Sequence, residues 1–554
     1  MIASLICVSL SLLAPIQAER DIRPLDARAR VIRNVNVIPM DREEILENRV
    51  VVIEDGRIAA IGAEDSLEIP GDAEVIDAGG RFLLPGLADM HVHLLDPSDF
   101  DLLLASGVTT IFNMGGAPIH LEWRGELDRG ERLGPILYTV GPMVESSDDP
   151  VFNSQFAIET PEQAVELVRH CASAGYDFVK MHGDPPAEVY DATLNAAKAN
   201  GIRVVGHPSE HAGLLRALEL GQATIEHAEE FVYCHFDHRL DDTGIPKIAK
   251  RTAEAGTFVT PTLVTYATIT QICTDIEVLM KRPELRFYEA WKQTRWAPET
   301  NQHLNNLGRD AAPRLAQSLA FQKRLVRALH NEGVPLLTGT DYGGPSFLLP
   351  GFDVHEELLL LVECGLTPFE ALRASTVHPS RLLESETGVI ENGRWADLVL
   401  VDENPLQSLE TLKRPAGVMV RGRWLDRKEL DARVAALLEE NEREQRFLDF
   451  LANQGVAAAR EKARDESGQP IASLPALAYA TAMKILGGDS RTALAIAQLN
   501  AELYPGSYLP QDHLGKLYAG AGEIELARKH LERSLELNGA NRAATMMLEK
   551  LPKR

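Results

Sequence analysis

Positive charge is in short supply in this chain. Against 81 Asp and Glu it sets 56 Lys and Arg, a formal net charge of −25 over 554 residues. An acidic surface repels phosphate backbones and anionic lipid, so neither nucleic acid nor a charged membrane surface is an expected partner. Long apolar runs are also missing: beyond the first residues, no stretch approaches the ~20 needed to span a bilayer as a helix. Cysteine is scarce, five residues in all. Cys7 falls in the N-terminal apolar run, leaving Cys171, Cys234, Cys273 and Cys364, among which sequence cannot choose a pairing.

That N-terminal run, Ile2 to Ala14, is followed by Ile16-Gln17-Ala18 and then Glu19. It reads as a secretory leader over residues 1–18, and so predicts a secreted or periplasmic protein. No Lys or Arg precedes it, a departure from the usual leader, and the other reading is a buried N-terminal segment. Leu5-Ile6 before Cys7 does not suit a lipid-attachment site.

What is present is 45% apolar and 25% charged, the proportions of a folded protein, and long enough for two to four domains. From Arg30 to Asp77 short β-branched runs alternate with turns such as Glu54-Asp55-Gly56, and the same texture returns between Gly388 and Trp424. The two pieces, 19–80 and 385–425, are expected to join as one small β-sandwich.

Between them, apolar runs alternate with helical stretches: 82–93, 107–114, 136–141, 178–182, 204–207, 224–227, 258–262 and 335–341. That alternation predicts an α/β domain over 81–384, a (β/α)8 barrel of parallel strands. The gap from Tyr266 to Arg324 is long for one connection and is expected to place helices over the barrel mouth. Thr367-Pro368 reads as the start of a closing helix. Residues 426–473 read as a helical linker. Beyond Leu474, Leu514-Gly515-x-x-Tyr518 and Gly522-Glu523-Ile524-Glu525-Leu526-Ala527 resemble tetratricopeptide repeats over 474–554, the alternative being a plain pair of helical hairpins. Either form suggests self-association or a protein partner.

The chemistry gathers at the predicted strand ends. His91 and His93, spaced i, i+2, share one face of a strand and can hold one divalent metal. Lys180 closes the fourth strand, His207 the fifth, His227 the sixth and Asp341 the eighth. In a barrel these ends meet at one face. His182, two residues after Lys180, shares its face and rivals it.

The motifs Pro85-Gly86-Leu87-Ala88-Asp89-Met90-His91-Val92-His93, Phe178-Val179-Lys180, Gly206-His207, Ile225-Glu226-His227 and Gly339-Thr340-Asp341 resemble the amidohydrolase superfamily from about Arg30 to Trp424. His378-Pro379-Ser380 and Gly393-Arg394-Trp395-Ala396-Asp397-Leu398 match its usual tail. The resemblance implies two divalent metals, zinc being the expected ion: His91, His93 and Asp341 on one, His207 and His227 on the other, and Lys180, as a carboxylated lysine, bridging them. It also implies a metal-bridging hydroxide as nucleophile with Asp341 as general base and then acid. Ala174–Lys180 and Asp353-Val354-His355-Glu356-Glu357-Leu358 resemble the secreted prolidase-like and dipeptidase-like branch, so a small peptide or N-acyl amino acid is the expected substrate. His207-Pro208-Ser209-Glu210-His211 departs from the His-x-His common in that branch, so no substrate contact is assigned. Two alternatives stay open: a mononuclear cyclic-amide hydrolase of the imidazolonepropionase kind, and a non-catalytic barrel carrying a binding tail.

Overall fold

A computed structural model describes residues 20–67, 70–145, 155–293, 296–344, 347–539 and 541–552. The leader expected over 1–18 lies outside them. Among the described residues no disulfide joins Cys171, Cys234, Cys273 and Cys364. No helix among them is long and apolar enough to cross a membrane.

The two β-rich pieces meet in one hydrogen-bonded network of eight strands. Arg30–Val37 pairs antiparallel with Leu46–Glu54, which turns at Asp55-Gly56 into Arg57–Gly62. Both turn residues have positive φ, 49° and 74°, as a tight two-residue hairpin requires. The distant piece returns as Leu398–Val401, antiparallel to Phe82–Pro85, and carries Gly417–Val420 and Arg423–Asp426. Neither piece can cover its own apolar face. Together Ile32, Val37, Val51, Leu83, Leu398, Leu400 and Met419 form one buried cluster.

The run 82–93, expected as a single strand, is two. Phe82–Pro85 belongs to the flanking sheet and Leu87–Val92 to the central domain. The break is Gly86, where a Cβ would lie 2.1 Å from Thr109 Oγ1, so the chain passes only because there is none.

The central strands are parallel and alternate with helices. Leu87–Val92 pairs with Val108–Asn113, and that with Ile136–Thr139. Phe178–Met181 pairs with Arg203–Gly206, and Thr224–Glu226 with Phe258–Thr260. Single bridges connect these groups at Val140–Phe178, Val259–Leu336 and Val92–Tyr342, and Ala223 N–H donates to Val204 O at 2.8 Å. The predicted eighth strand, 335–341, makes only such isolated pairings. Its amides at Leu337 and Thr338 go to Val259 O and Ala374 O, and left-handed Asp341 (φ 57°) ends any regular ladder. A further parallel pair, Met143–Glu145 with Gln155–Ala157, was not anticipated.

Side chains alternate as strands dictate. Phe112, Tyr138, Phe178, Val205 and Leu337 form an inner cluster, while Ile111, Leu137, Val179, Val204, Ile225 and Val259 pack outward on the helices. The long connection does hold helices, Leu263–Leu279, Ala290–Gln293, Gln302–Leu307 and Ala312–Asn331. Thr367 caps the helix Pro368–Ala374, accepting Glu370 N–H at 3.2 Å.

After the flanking sheet comes one long helix, Arg427–Glu461, interrupted at Gly455, and then, among the described residues, five shorter helices from Leu474 to Lys550. Gly515 lets Tyr508–Gly520 approach Ile524–Leu537 closely, since a Cβ there would be 2.6 Å from Leu531 Cγ.

Candidate metal centre

Ala88 and Met90 belong to the inner cluster, so strict alternation would turn His91 away from it. The register against Val108–Asn113 slips between Asp89 and Val92, one extra residue in the outgoing strand. Such a bulge re-aims the side chains beyond it. His91 Nε2 then lies 3.3 Å, and His93 Nε2 2.9 Å, from Asp341 Oδ1. Ligand atoms of these three residues all lie within 4.8 Å of one another. His91 Nδ1–H donates to Glu226 Oε2 at 2.8 Å, which leaves Nε2 as the free lone pair.

Lys180 and His207 need no such device, because alternation from Phe178 and Val205 puts them on the inner face. Lys180 is fully buried and its Nζ has no hydrogen-bond partner. Burial lowers its pKa, against the opposing pull of Glu226, Asp341 and Glu230. A Cβ on Gly206 would sit 2.8 Å from Lys180 Cδ and 2.1 Å from Met181 O, so the lysine runs alongside bare backbone. His207 Nδ1 is 3.4 Å from Glu230 Oε1 and its buried Nε2 has no partner.

His227 follows Glu226, which alternation already places inward, and reaches the site by a left-handed backbone (φ 66°). Its Nδ1 is 2.6 Å from Thr262 Oγ1. Ring centroids separate His91 from His227 by 4.6 Å and His207 from His227 by 4.9 Å. The structure thus brings all six predicted groups together. His182 comes close as well, its ring 4.9 Å from His207, but its Nδ1 is engaged by Glu145 Oε2 at 2.9 Å.

Electrostatics suit a cation. Burial, reinforced by the Lys180 charge, holds His91 and His207 well below the usual imidazole pKa, and His227 falls to about 3. These rings are neutral and offer lone pairs. Burial raises Asp341, but the hydrogen bond and charge of His93 outweigh it and leave the carboxylate below its usual range. Neutral imidazoles, an ionised carboxylate and an unpartnered buried amine fit divalent metal.

Sequence reasoning missed the residues behind this set. Glu226 sat inside the quoted Ile225-Glu226-His227, and period two marked it as inward. Asp89, two residues before His91, accepts Thr340 Oγ1–H at 2.6 Å and Thr340 N–H at 3.0 Å, holding the segment before Asp341. Glu230 and Thr262 carried no signal of their own.

The sequence profile described as the amidohydrolase family matches residues 82–425. The chain belongs to the amidohydrolase family. That family hydrolyses carbon–nitrogen bonds and typically binds divalent metals, in keeping with the His91–His93–Asp341 group of this amidohydrolase. Among curated relatives, adenine deaminase of Ruegeria sp. (strain TM1040) is 39% identical over 87 residues, 15% of this chain and 14% of that one. Enamidase of Eubacterium barkeri is 38% identical over 96 residues, and the chain spans a quarter or less of the length of these two curated relatives. Of solved structures, bottromycin amidohydrolase is 26% identical with a TM-score of 0.61, covering 76% of this chain and 92% of that one. A candidate prolidase from Bifidobacterium longum is 25% identical with a TM-score of 0.57, covering 75% and 99%.

Proposed function

We propose that this amidohydrolase is an exported two-metal enzyme that hydrolyses the amide bond of small peptides or N-acyl amino acids. The observation that carries the two-metal reading is Lys180: a fully buried amine whose Nζ has no hydrogen-bond partner, set among His91, His207 and His227. Burial lowers the pKa of this amine, and once it has given up its proton it can add CO2 to form a carbamate, whose two oxygens can both serve as metal ligands. In this reading His91, His93 and Asp341 would hold one metal and His207 and His227 the other, with carboxylated Lys180 as a ligand to both. The circuit of strand pairings and bridges is read as a closed (β/α)8 barrel that gathers these ends.

Divalent metal there supplies Lewis acidity toward a substrate carbonyl and makes water nucleophilic near neutral pH. The protein does the rest. Glu226 and Thr262 fix the rings of His91 and His227 through Nδ1. Asp341, ionised at neutral pH, takes the proton of the attacking water and delivers it to the leaving nitrogen. The names of the bottromycin amidohydrolase and of the Bifidobacterium longum prolidase support an amide or peptide bond as the target.

A mononuclear cyclic-amide hydrolase is the second reading. It is favoured by one fact: among the described residues His91, His93 and Asp341 are the sole group of three with ligand atoms this close. An inert barrel has no physical need for six converging donor groups, so the scaffold alternative is set aside. Plasma mass spectrometry on the protein lacking residues 1–18 separates the two. Two metals per chain, falling to one in Lys180→Ala, are expected. One metal, unchanged by that substitution, would select the mononuclear reading, and none would overturn both. The N-terminal sequence of the mature protein tests export, with Glu19 the expected first residue.

A further inference from the structure

Glu357, from the Asp353–Leu358 stretch, lies on the helix Phe352–Glu363 and is fully buried. Its Oε1 accepts Leu263 N–H at 3.1 Å and its Oε2 accepts Val264 N–H at 2.7 Å. Those are the first two amides of the helix Leu263–Leu279, which have no acceptor within their own helix. A helix start normally satisfies them with the side chain of its N-cap residue. Here the N-cap is Thr262, a good capping residue by type, yet its side chain makes no cap hydrogen bond. The hydroxyl is committed to His227 Nδ1 instead, at 2.6 Å.

Thr262 also holds a left-handed backbone (φ 45°), which a β-branched residue adopts only under constraint. Something outside the helix must supply the missing cap and hold that conformation. Glu357 supplies that cap, its two oxygens accepting from the two residues immediately after Thr262. The same turn reaches the other side of the site, because Thr265 Oγ1–H donates to Thr340 O at 3.0 Å, one residue before Asp341.

We propose that Glu357 is a positioning residue for His227: by capping the helix in place of Thr262, it frees the threonine hydroxyl to orient the imidazole. This rests on the reading of His227 as a metal ligand. Glu357 touches neither metal ligand nor substrate, so its effect passes through Thr262.

The test compares Glu357→Gln, Thr262→Val and Thr262→Ser in the full-length protein. Glutamine keeps the shape but presents one acceptor and turns an N–H toward the second amide. Expected for both Glu357→Gln and Thr262→Val is a ~10–100-fold weaker hold on one of two zinc ions in chelator competition, the scale seen when a partner behind a ligand is removed. kcat should fall with it while KM changes little, and Thr262→Ser should restore both. The double variant should be no worse than the worse single, since both act along one path. Histidine ring 15N shifts are read on chelator-stripped protein, where Glu357→Gln should move the His227 signals alone. A wild-type chain that binds no zinc sinks the proposed function but leaves that shift readable. Unchanged His227 shifts, additive losses in the double variant, or a lowered melting temperature with wild-type zinc affinity would overturn the role of Glu357.

Discussion

At His91 the ring nitrogen that would not touch metal matters as much as the one that would. Glu226 accepts its Nδ1–H and so selects the tautomer with Nε2 free. Glu226→Ala is expected to weaken metal affinity ~10–100-fold in chelator competition, and Glu226→Gln, which keeps an acceptor, by less. Asp341→Asn should spare metal content more than turnover, because an amide still offers an oxygen but cannot carry a proton; metal and rate measured on one preparation check this. The ligand candidates were legible because each ends a recognisable apolar run. Glu226 was legible too, had period two been applied within its own motif. Thr262 and Glu230 were not, since they meet the histidines only after the chain has folded back.

Among the elements, sequence pattern and structure part where the backbone leaves its ideal form. Alternation correctly aims Lys180 and His207 from Phe178 and Val205. It fails at His91, re-aimed by the bulge, and at His227, turned inward by a positive φ, because neither distortion has a side-chain period to announce it. The long helix Arg427–Glu461, read only as a linker, carries a feature of the same kind in buried Glu444, whose Oε1 accepts Ser473 N–H at 2.7 Å. Burial pushes this carboxyl up to about 7, with that amide pulling it back. The folded protein therefore holds a proton that the unfolded chain, with an ordinary carboxyl pKa near ~4.3, has released. Stability should fall as pH rises from the ordinary carboxyl range through about 7, where the folded state loses that proton. Glu444→Gln keeps an acceptor for Ser473 and should raise the melting temperature at pH 8, by on the order of 2 °C, while leaving it unchanged at pH 4.

For the whole molecule, the insertion expected over the barrel mouth ties together the loops that follow two candidate ligands. Lys292 is buried with Asp99 Oδ1 at 3.1 Å and Glu289 Oε2 at 2.8 Å, which links it to the loop after His93. Trp296 packs on Phe347, and Arg282 Nη1–H donates to Phe347 O at 3.0 Å, which secures the loop after Asp341. The long helix Arg427–Glu461 braces the insertion from behind, where Asn441 Nδ2–H donates to Phe287 O at 3.2 Å. Lys292→Met leaves Asp99 and Glu289 buried without their cation and should cost ~3–5 kcal/mol in denaturant unfolding, with Lys292→Arg losing less. Apart from Glu289 and Lys292, these contacts join residues from distant parts of the sequence.

The sequence by itself pointed to the family through its motifs, and to the alternation of strand and helix and the six candidate donor groups through local periodicity and residue type. Only the tertiary structure decided that the run 82–93 divides at Gly86, that the eighth run stays irregular, and which nitrogen of each histidine faces inward. Each of those depends on a contact that chain folding alone creates: Thr109 against Gly86, Ala374 on Thr338, Glu226 on His91 and Thr262 on His227.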